Sequence, residues 1–332
     1  GGLPRPGDLD TDSLERGRGS ASGGCKAVNQ STEMMPLLDG FPRPAWELIS
    51  EEIEAAPEST WQARWTQWAR QWINATIGVL PPGYRLIESE HFFVMSAQEE
   101  RFTRLLLQFL SRARHGILST LEGIALDDGF GPHVLLMFDD QESYYRYIAH
   151  FYPEKGAFGL SSGIFLGGAY GHFAFPFVEM TEAEATAAHE LTHACLRHLP
   201  IPTWLNEGLA MTMEDELCGS QPLRMDNERM HQHRSFWNAS TIQEYWSGDA
   251  FNRPDEGMEL SYELARYCVR ALAHDYSAFS AFANEADMSD AGDSAAIQHF
   301  GGSVGGLIAQ FFGDGDWSPK PDCWHAEEGS GV

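Results

Sequence analysis

The chain has 332 residues, 43% of them hydrophobic, and a formal net charge of −26 at pH 7. Such an acidic chain repels nucleic acid and anionic lipid, so we expect neither as a partner. No apolar run is long enough to span a membrane. The composition therefore predicts a soluble protein with a sizeable core, and the length predicts two domains or one domain with a sub-lobe. The compartment and the oligomeric state stay open.

The N-terminal segment, residues 1–38, is rich in Gly, Ser, Pro and charge and is predicted to be disordered. The chain begins at Gly1 without a methionine, so we expect the natural start to lie further upstream.

The five cysteines of the chain are odd in number and widely spaced. That spacing predicts neither a zinc knuckle nor a clear disulfide framework.

Residues 39–83 are predicted to form a helical extension, because the pattern from about Pro44 to Ile77 is helical and breaks near Pro57. Four tryptophans recur on one stripe of it: Trp61, Trp65, Trp68 and Trp72. The stripe either docks the helix on the body of the protein or forms an aromatic platform for a sugar or a peptide. We favour docking, since large rings contribute most when they are buried.

Residues 84–200 are predicted to form a lobe with a small mixed sheet covered by helices, which makes the fold α+β. The predicted strands are Tyr84–Met95, His133–Phe138, Gly163–Gly168 and His172–Val178. The predicted helices are Glu99–Leu121, with Leu105, Leu106, Phe109 and Leu110 on its buried side, and one that starts around Asp140. We expect the last strand to offer a free edge to an extended peptide, an interpretation compatible with Pro176. We interpret His172 as structural.

A third helix of this lobe is predicted around the sequence Ala187-Ala-His-Glu-Leu-Thr-His-Ala-Cys195. Thr181 and Glu184 resemble a capping box at its start. His189 and His193 are four residues apart and so share one helix face, where both can reach one Zn²⁺ ion. Glu190 lies beside them, suited to take a proton from a water on the metal. Two such histidines can also be ordinary core or surface residues, and Cys195 is interpreted as a buried thiol.

A third zinc ligand is predicted in Pro202-Thr-Trp-Leu-Asn-Glu-Gly-Leu-Ala210. Thr203 is predicted to cap a second helix, with Glu207 in its first turns. A short connection between the two helices can then bring Glu207 against the histidine pair, which completes a His2Glu set with room for a water. The alternative is an acid that only pairs with the helix dipole.

The C-terminal lobe, residues 201–316, is predicted to be mainly helical, and residues 317–332 form a tail whose Trp317 and Trp324 either pack back or stay free. Glu214 lies two turns beyond Glu207, where it either orients a ligand histidine or ends the helix in solvent. The polar stretch from Gly219 to about Asn252 is predicted to be irregular. We therefore interpret His231-Gln-His233 as a surface loop rather than a metal site.

The two zinc motifs, His189–His193 and Trp204–Ala210, resemble those of the gluzincin metallopeptidases, in particular the peptidase MA-like families and more distantly aminopeptidase N. The resemblance covers about residues 84–312 and implies a zincin-like fold, with Glu207 as the third zinc ligand. Ser261-Tyr-Glu-Leu-Ala-Arg-Tyr267 is similar to the family helix whose tyrosine stabilises the oxyanion, which implies that role for Tyr262. We find no G-x-M-E-N-like segment that would hold a free substrate amino terminus.

These patterns together predict a zinc metallopeptidase with one Zn²⁺ per chain and a peptide or protein substrate. Glu190 and Tyr262 are the expected catalytic residues, and the expected ligands are His189, His193 and Glu207. Two alternatives stay open. One is an inactive protein of the same fold that binds zinc or peptide, and the other is a zinc hydrolase that acts on a non-peptide amide or an epoxide. Substrate identity and exo- or endo-action are not readable from the sequence.

Overall fold

The computed structural model describes residues 34–151, 163–168, 170–219 and 225–324. It confirms the mixed α+β class. The strands are β1 Leu37–Leu38, β2 Phe41–Pro42, β3 Arg85–Glu88, β4 Phe92–Ser96, β5 His133–Phe138, β6 Ile164–Leu166 and β7 His172–Pro176. The α-helices are α1 Trp46–Glu54, α2 Trp61–Val79, α3 Glu100–Thr120, α4 Gln141–Ile148, α5 Met180–Leu196, α6 Thr203–Cys218, α7 Asn227–Phe236, α8 Thr241–Ser247, α9 Glu256–Leu272, α10 Tyr276–Glu285, α11 Asp293–Phe300 and α12 Val304–Phe312.

The chain folds as two compact units. Of the described residues, the first unit holds those up to Ser111 together with Asp128–Met180, and the second holds Arg112–Asp127 and everything from Thr181 on. Helix α3 contributes residues to both. The HExxH helix α5 thus belongs with the helices that follow it, whereas the sequence division grouped it with the sheet. Of the segment expected to be disordered, residues 1–33 lie outside the described part, and Leu37–Leu38 forms β1.

The first unit is built on a five-stranded sheet of order β3-β4-β5-β7-β6, in which β4, β5 and β7 run parallel and the two outer strands antiparallel. The parallel strands are almost wholly buried and almost wholly apolar, as expected for strands covered on both faces. The prediction of one strand over Tyr84–Met95 is wrong. The chain reverses there, with Ser89 N–H donating to Phe92 O at 2.8 Å.

Strand β7 is internal, so the prediction that it offers a free edge is also wrong. It pairs with β5 on one side, with Val134 opposite His172, and with β6 on the other, with Phe173 opposite Phe165. The prediction failed because β6 runs antiparallel to β7 and pairs with the edge that was expected to be free. Pro176 has no N–H to donate to a neighbouring strand, but no hydrogen bond is lost on this side because β6 pairs only as far as Ala174.

The tryptophan stripe on α2 docks into the core of this unit, as predicted. Trp65 and Trp72 are buried, and the ring of Trp46 from α1 meets Trp72 edge-on at 5.5 Å. His172 is structural, as interpreted: it is buried, and its Nε2 lies 2.7 Å from the Tyr147 hydroxyl. Burial lowers the pKa of His172 to about 3, which keeps it neutral.

The second unit is helical among its described residues. The prediction of an irregular stretch from Gly219 to Asn252 is wrong where the chain is described: α7 begins at an Asp226 cap and α8 follows. His233 lies on α7, buried, with Nε2 3.1 Å from Glu263 Oε2, so the surface-loop interpretation is wrong for it. Residues 220–224 of that stretch lie outside the described part.

The apolar side of α3 also differs from the prediction, since Leu105 is exposed.

The tail packs back on α8 through the side chains of Gln243 and Trp246. Gln243 donates to Ser318 O at 2.9 Å and accepts from Lys320 N at 2.8 Å and from the Trp324 indole at 3.1 Å. The Trp246 indole donates to Trp317 O at 2.8 Å. Among the described helices, none has the length and apolar character needed to cross a bilayer.

Candidate metal centre

Two helices of the second unit carry the predicted ligands. Helix α5 begins at Met180, one residue before Thr181, so Thr181 lies inside the helix and the predicted capping box is wrong. Thr203 is likewise the first residue of α6 rather than its cap. The cap is Pro202, whose φ of −56° is the value that its ring imposes, and it offers no side-chain acceptor. Both helices lie where predicted, but neither begins with the predicted capping residue.

The three predicted ligands come together. His189 and His193 share one face of α5, with ring centroids 4.8 Å apart and planes at 79°. Glu207 Oε2 lies 3.3 Å from His189 Nε2 and 3.5 Å from His193 Nε2. Within the described ranges, this is the one group of three His, Cys, Asp or Glu side chains with donor atoms near enough to hold an ion.

The two distances from Glu207 Oε2 match those expected around a tetrahedral ion. Zinc bonds of about 2.0–2.2 Å at tetrahedral angles hold neighbouring ligand atoms about 3.3–3.6 Å apart, which is the separation seen from Glu207 Oε2 to both imidazoles. The same oxygen is buried, and no hydrogen bond of good geometry reaches it from a neighbouring side chain. A buried carboxylate oxygen without a donor is costly, and a cation at this point would satisfy it.

Each histidine is also held from its far side. His193 Nδ1 lies 3.1 Å from the amide oxygen of Asn206, and His189 Nδ1 lies 3.4 Å from Glu214 Oε2. In the neutral form of each ring, an acceptor at Nδ1 favours the tautomer that carries its proton there, which leaves Nε2 as the atom that can bind a metal. Of the two alternatives for Glu214, the contact with His189 favours the orienting carboxylate. The sequence reading missed Asn206, although its place beside Glu207 could have indicated it.

The three side chains of this group have shifted pKa values. Burial opposes the imidazolium form of His189, but the carboxylates of Glu207 and Glu214 outweigh it and raise its pKa to about 10. Burial and Glu207 act in the same opposed way on His193, whose pKa is also raised. Burial alone would raise the pKa of Glu207, yet the two imidazoles hold it well below its usual range.

The two predicted catalytic residues flank this group. Glu190 is buried on α5, and its charge contributes to the raised pKa of both histidines. Tyr262 lies on α9 with its ring centroid 6.4 Å from that of His189. The negative charge of Glu207, followed by burial and the charge of Glu190, raises the pKa of Tyr262 well above its usual value. The phenol therefore stays protonated at neutral pH, as a hydrogen-bond donor.

Gly208 lets α9 approach α6, the helix that carries Glu207. A Cβ on Gly208 would lie 2.6 Å from Ala265 O and 2.7 Å from Val269 Cγ2. Ala265 follows Tyr262 by three residues, so both face α6 on one side of α9. Close contact at Gly208 thus brings Tyr262 towards the neighbouring Glu207. Farther along, Arg266 Nη1 lies 2.8 Å from Asp215 Oδ2 in a buried ion pair that joins the same two helices.

The remaining sequence candidates do not belong to this group. His172 is part of the first unit, and His231 is exposed on α7. Cys195 is buried, as interpreted.

A scan of protein-family models finds no matching family, and searches of curated proteins and of solved structures find no match.

Proposed function

We propose that this protein is a zinc-dependent metallopeptidase of the gluzincin type with a zincin-like fold, in which His189, His193 and Glu207 hold one Zn²⁺. The observation that carries the proposal is the buried Glu207 Oε2, which lies 3.3 and 3.5 Å from two imidazole nitrogens and has no hydrogen-bond partner of good geometry. An orphaned oxygen at tetrahedral spacing from two oriented imidazoles is what a zinc site requires.

Three protein ligands leave one coordination position for water, and zinc supplies Lewis acidity that lowers the pKa of that water to about 7. Glu190 follows His189 directly in the chain and is buried with it. We assign it the role of general base, which takes a proton from the attacking water and passes it to the leaving amine. Its burial excludes bulk water from that transfer.

Tyr262 has the role of oxyanion donor in this proposal. Its raised pKa keeps the hydroxyl proton in place at neutral pH, so the hydroxyl can donate to the substrate carbonyl oxygen as negative charge builds there. A peptide substrate is supported by the resemblance of the two zinc motifs and of the Ser261–Tyr267 segment to the gluzincins.

The test is metal content together with hydrolysis. The purified full-length chain should contain about one zinc per molecule by plasma mass spectrometry, and a mixed peptide library should be cleaved in a chelator-sensitive way. Glu190→Gln should keep the zinc and lose hydrolysis by at least about 100-fold. Glu207→Ala should lose most of the zinc.

Matched controls lie on the same helices. Glu182→Gln on α5 and Glu216→Ala on α6 remove exposed carboxylates, and they should change neither metal content nor rate. A Glu190→Gln variant as active as the parent removes the mechanism. A zinc-loaded parent that cleaves no peptide but hydrolyses other amides or epoxides, or nothing at all, points to one of the alternative functions instead.

A further inference from the structure

A row of aromatic rings runs through the second unit and ends at the candidate metal centre. Its centroids are separated by 6.4 Å from Trp204 to Tyr245, 5.7 Å from Tyr245 to Phe251, 5.2 Å from Phe251 to Tyr262 and 6.4 Å from Tyr262 to His189. The tightest contact is the one between Phe251 and Tyr262. These two rings meet edge to face at 88°, the geometry that aromatic quadrupoles favour.

Phe251 is itself held firmly. It lies in the short 3-10 turn Asp249–Asn252 and is buried. The turn begins at Gly248, whose φ of 92° is left-handed and whose absent side chain leaves room for Thr203: a Cβ there would lie 2.6 Å from Thr203 Oγ1. Thr203 is the first residue of α6, the helix that carries Glu207. The turn is therefore placed against the ligand helix while its phenyl ring contacts Tyr262.

A tyrosine on a helix has two common χ1 rotamers, which send its hydroxyl in different directions. The oxyanion role needs the one that turns the hydroxyl towards the candidate metal centre, where the ring of Tyr262 lies 6.4 Å from that of His189. The Phe251 ring occupies one side of the Tyr262 ring, so it limits the rotation of the phenol away from the candidate metal centre.

We infer that Phe251 is a positioning residue for the reaction, which acts by holding the Tyr262 phenol in its productive rotamer. The ring contacts of Phe251 are with Tyr245 and Tyr262, so its effect on the reaction would pass through Tyr262. The kinetic consequence rests on the proposed peptidase function, whereas the consequence for Tyr262 does not. Phe251→Leu keeps apolar volume but removes the ring edge, which makes it a safer variant than Phe251→Ala, whose cavity could unfold the unit.

The first measurement needs neither metal nor activity. In zinc-free full-length protein labelled with 3-fluorotyrosine, the ¹⁹F resonance of Tyr262 is the one lost in Tyr262→Phe. In Phe251→Leu this resonance should shift or broaden, because the ring samples a second rotamer. The control is Phe279→Leu on α10, an equally buried phenylalanine whose ring neighbours are Tyr276 and Phe282. It should leave the Tyr262 resonance unchanged.

The second measurement is a double-mutant cycle. Phe251→Leu should lower kcat about two- to tenfold, the usual worth of one aromatic pair, with KM and zinc content unchanged. In a Tyr262→Phe background the same substitution should have no further effect on kcat. An unchanged ¹⁹F resonance, an equal loss of kcat in both backgrounds, or an equal loss in Phe279→Leu would each overturn the inference. If the parent shows no zinc-dependent hydrolysis but Phe251→Leu still perturbs Tyr262, the proposed function has failed and the structural part of the inference stands.

Discussion

Gly208 has no room for even one methyl group, and it lies directly after Glu207. In Gly208→Ala the new Cβ would lie 2.6 Å from Ala265 O, whereas ordinary contact begins at 3.4 Å. Helices α6 and α9 would therefore have to separate by about 0.8 Å, since the obstacle is backbone and cannot rotate away. Overpacking of this kind costs about 1–3 kcal/mol, which corresponds to a fall of about 2–12 °C in Tm for a unit of this size.

The separation also has a functional readout. If α6 yields, Glu207 moves and zinc affinity falls; if α9 yields, Tyr262 moves and kcat falls with zinc retained. Calorimetry and zinc titration together distinguish the two cases. Gly78→Ala is the matched control, because Gly78 lies exposed in the last turn of α2, where a Cβ would meet nothing within 4 Å. It should raise stability by about 0.5–1 kcal/mol. A Gly208→Ala protein with unchanged Tm, zinc affinity and kcat would refute the reasoning.

Three further outcomes follow from the contacts of the histidines. Asn206→Ala and Glu214→Ala should each weaken zinc binding about 10- to 100-fold, as measured by competition with a chromogenic chelator, because a ligand loses its orienting partner; equal affinity would contradict that role. With its pKa raised to about 10, metal-free His189 is protonated at neutral pH, so zinc binding should release about one proton from it and tighten as pH rises towards 10. Calorimetry in buffers of different ionisation enthalpy measures that release. The same raised pKa means that the His189–Glu207 interaction stabilises the metal-free protein fully below pH 6.5 and is lost as pH rises through 10; a metal-free Tm that does not fall over this interval would count against it.

The regular elements were the predictable part of the fold, because they follow from hydrophobic spacing alone. His133–Phe138 is predicted and observed with the same limits, since it is a short, almost wholly apolar run bounded by turns. The position of β7 within the sheet was not predictable, because strand order depends on how distant segments pair and leaves no local signal. Helix α7 was not predicted because its sequence is polar. Its buried His233 is paired with Glu263, a partner 30 residues away that local sequence does not indicate.

The candidate site was predictable where its geometry is local. Two histidines four apart on a helix must share a face, and Glu207 follows after one short turn. The orienting contact of Asn206 and the approach of α9 at Gly208 depend on side-chain direction and interhelical distance. Neither quantity follows from the spacing of residues. The place of Asn206 beside Glu207 was a signal that the prediction did not use, whereas the role of Gly208 could not be derived from the sequence.

The local character of the ligand set also bears on the order in which the protein matures. The proposed ligands fall within 19 consecutive residues, on two helices separated by residues 197–202, whereas Tyr262 lies 55 positions after Glu207. Contacts between neighbours in sequence form sooner than distant ones. We therefore expect a nascent chain to capture its ion while α9 is still unsynthesised, so that metal loading precedes catalytic competence and a truncated product could sequester zinc without turning over substrate.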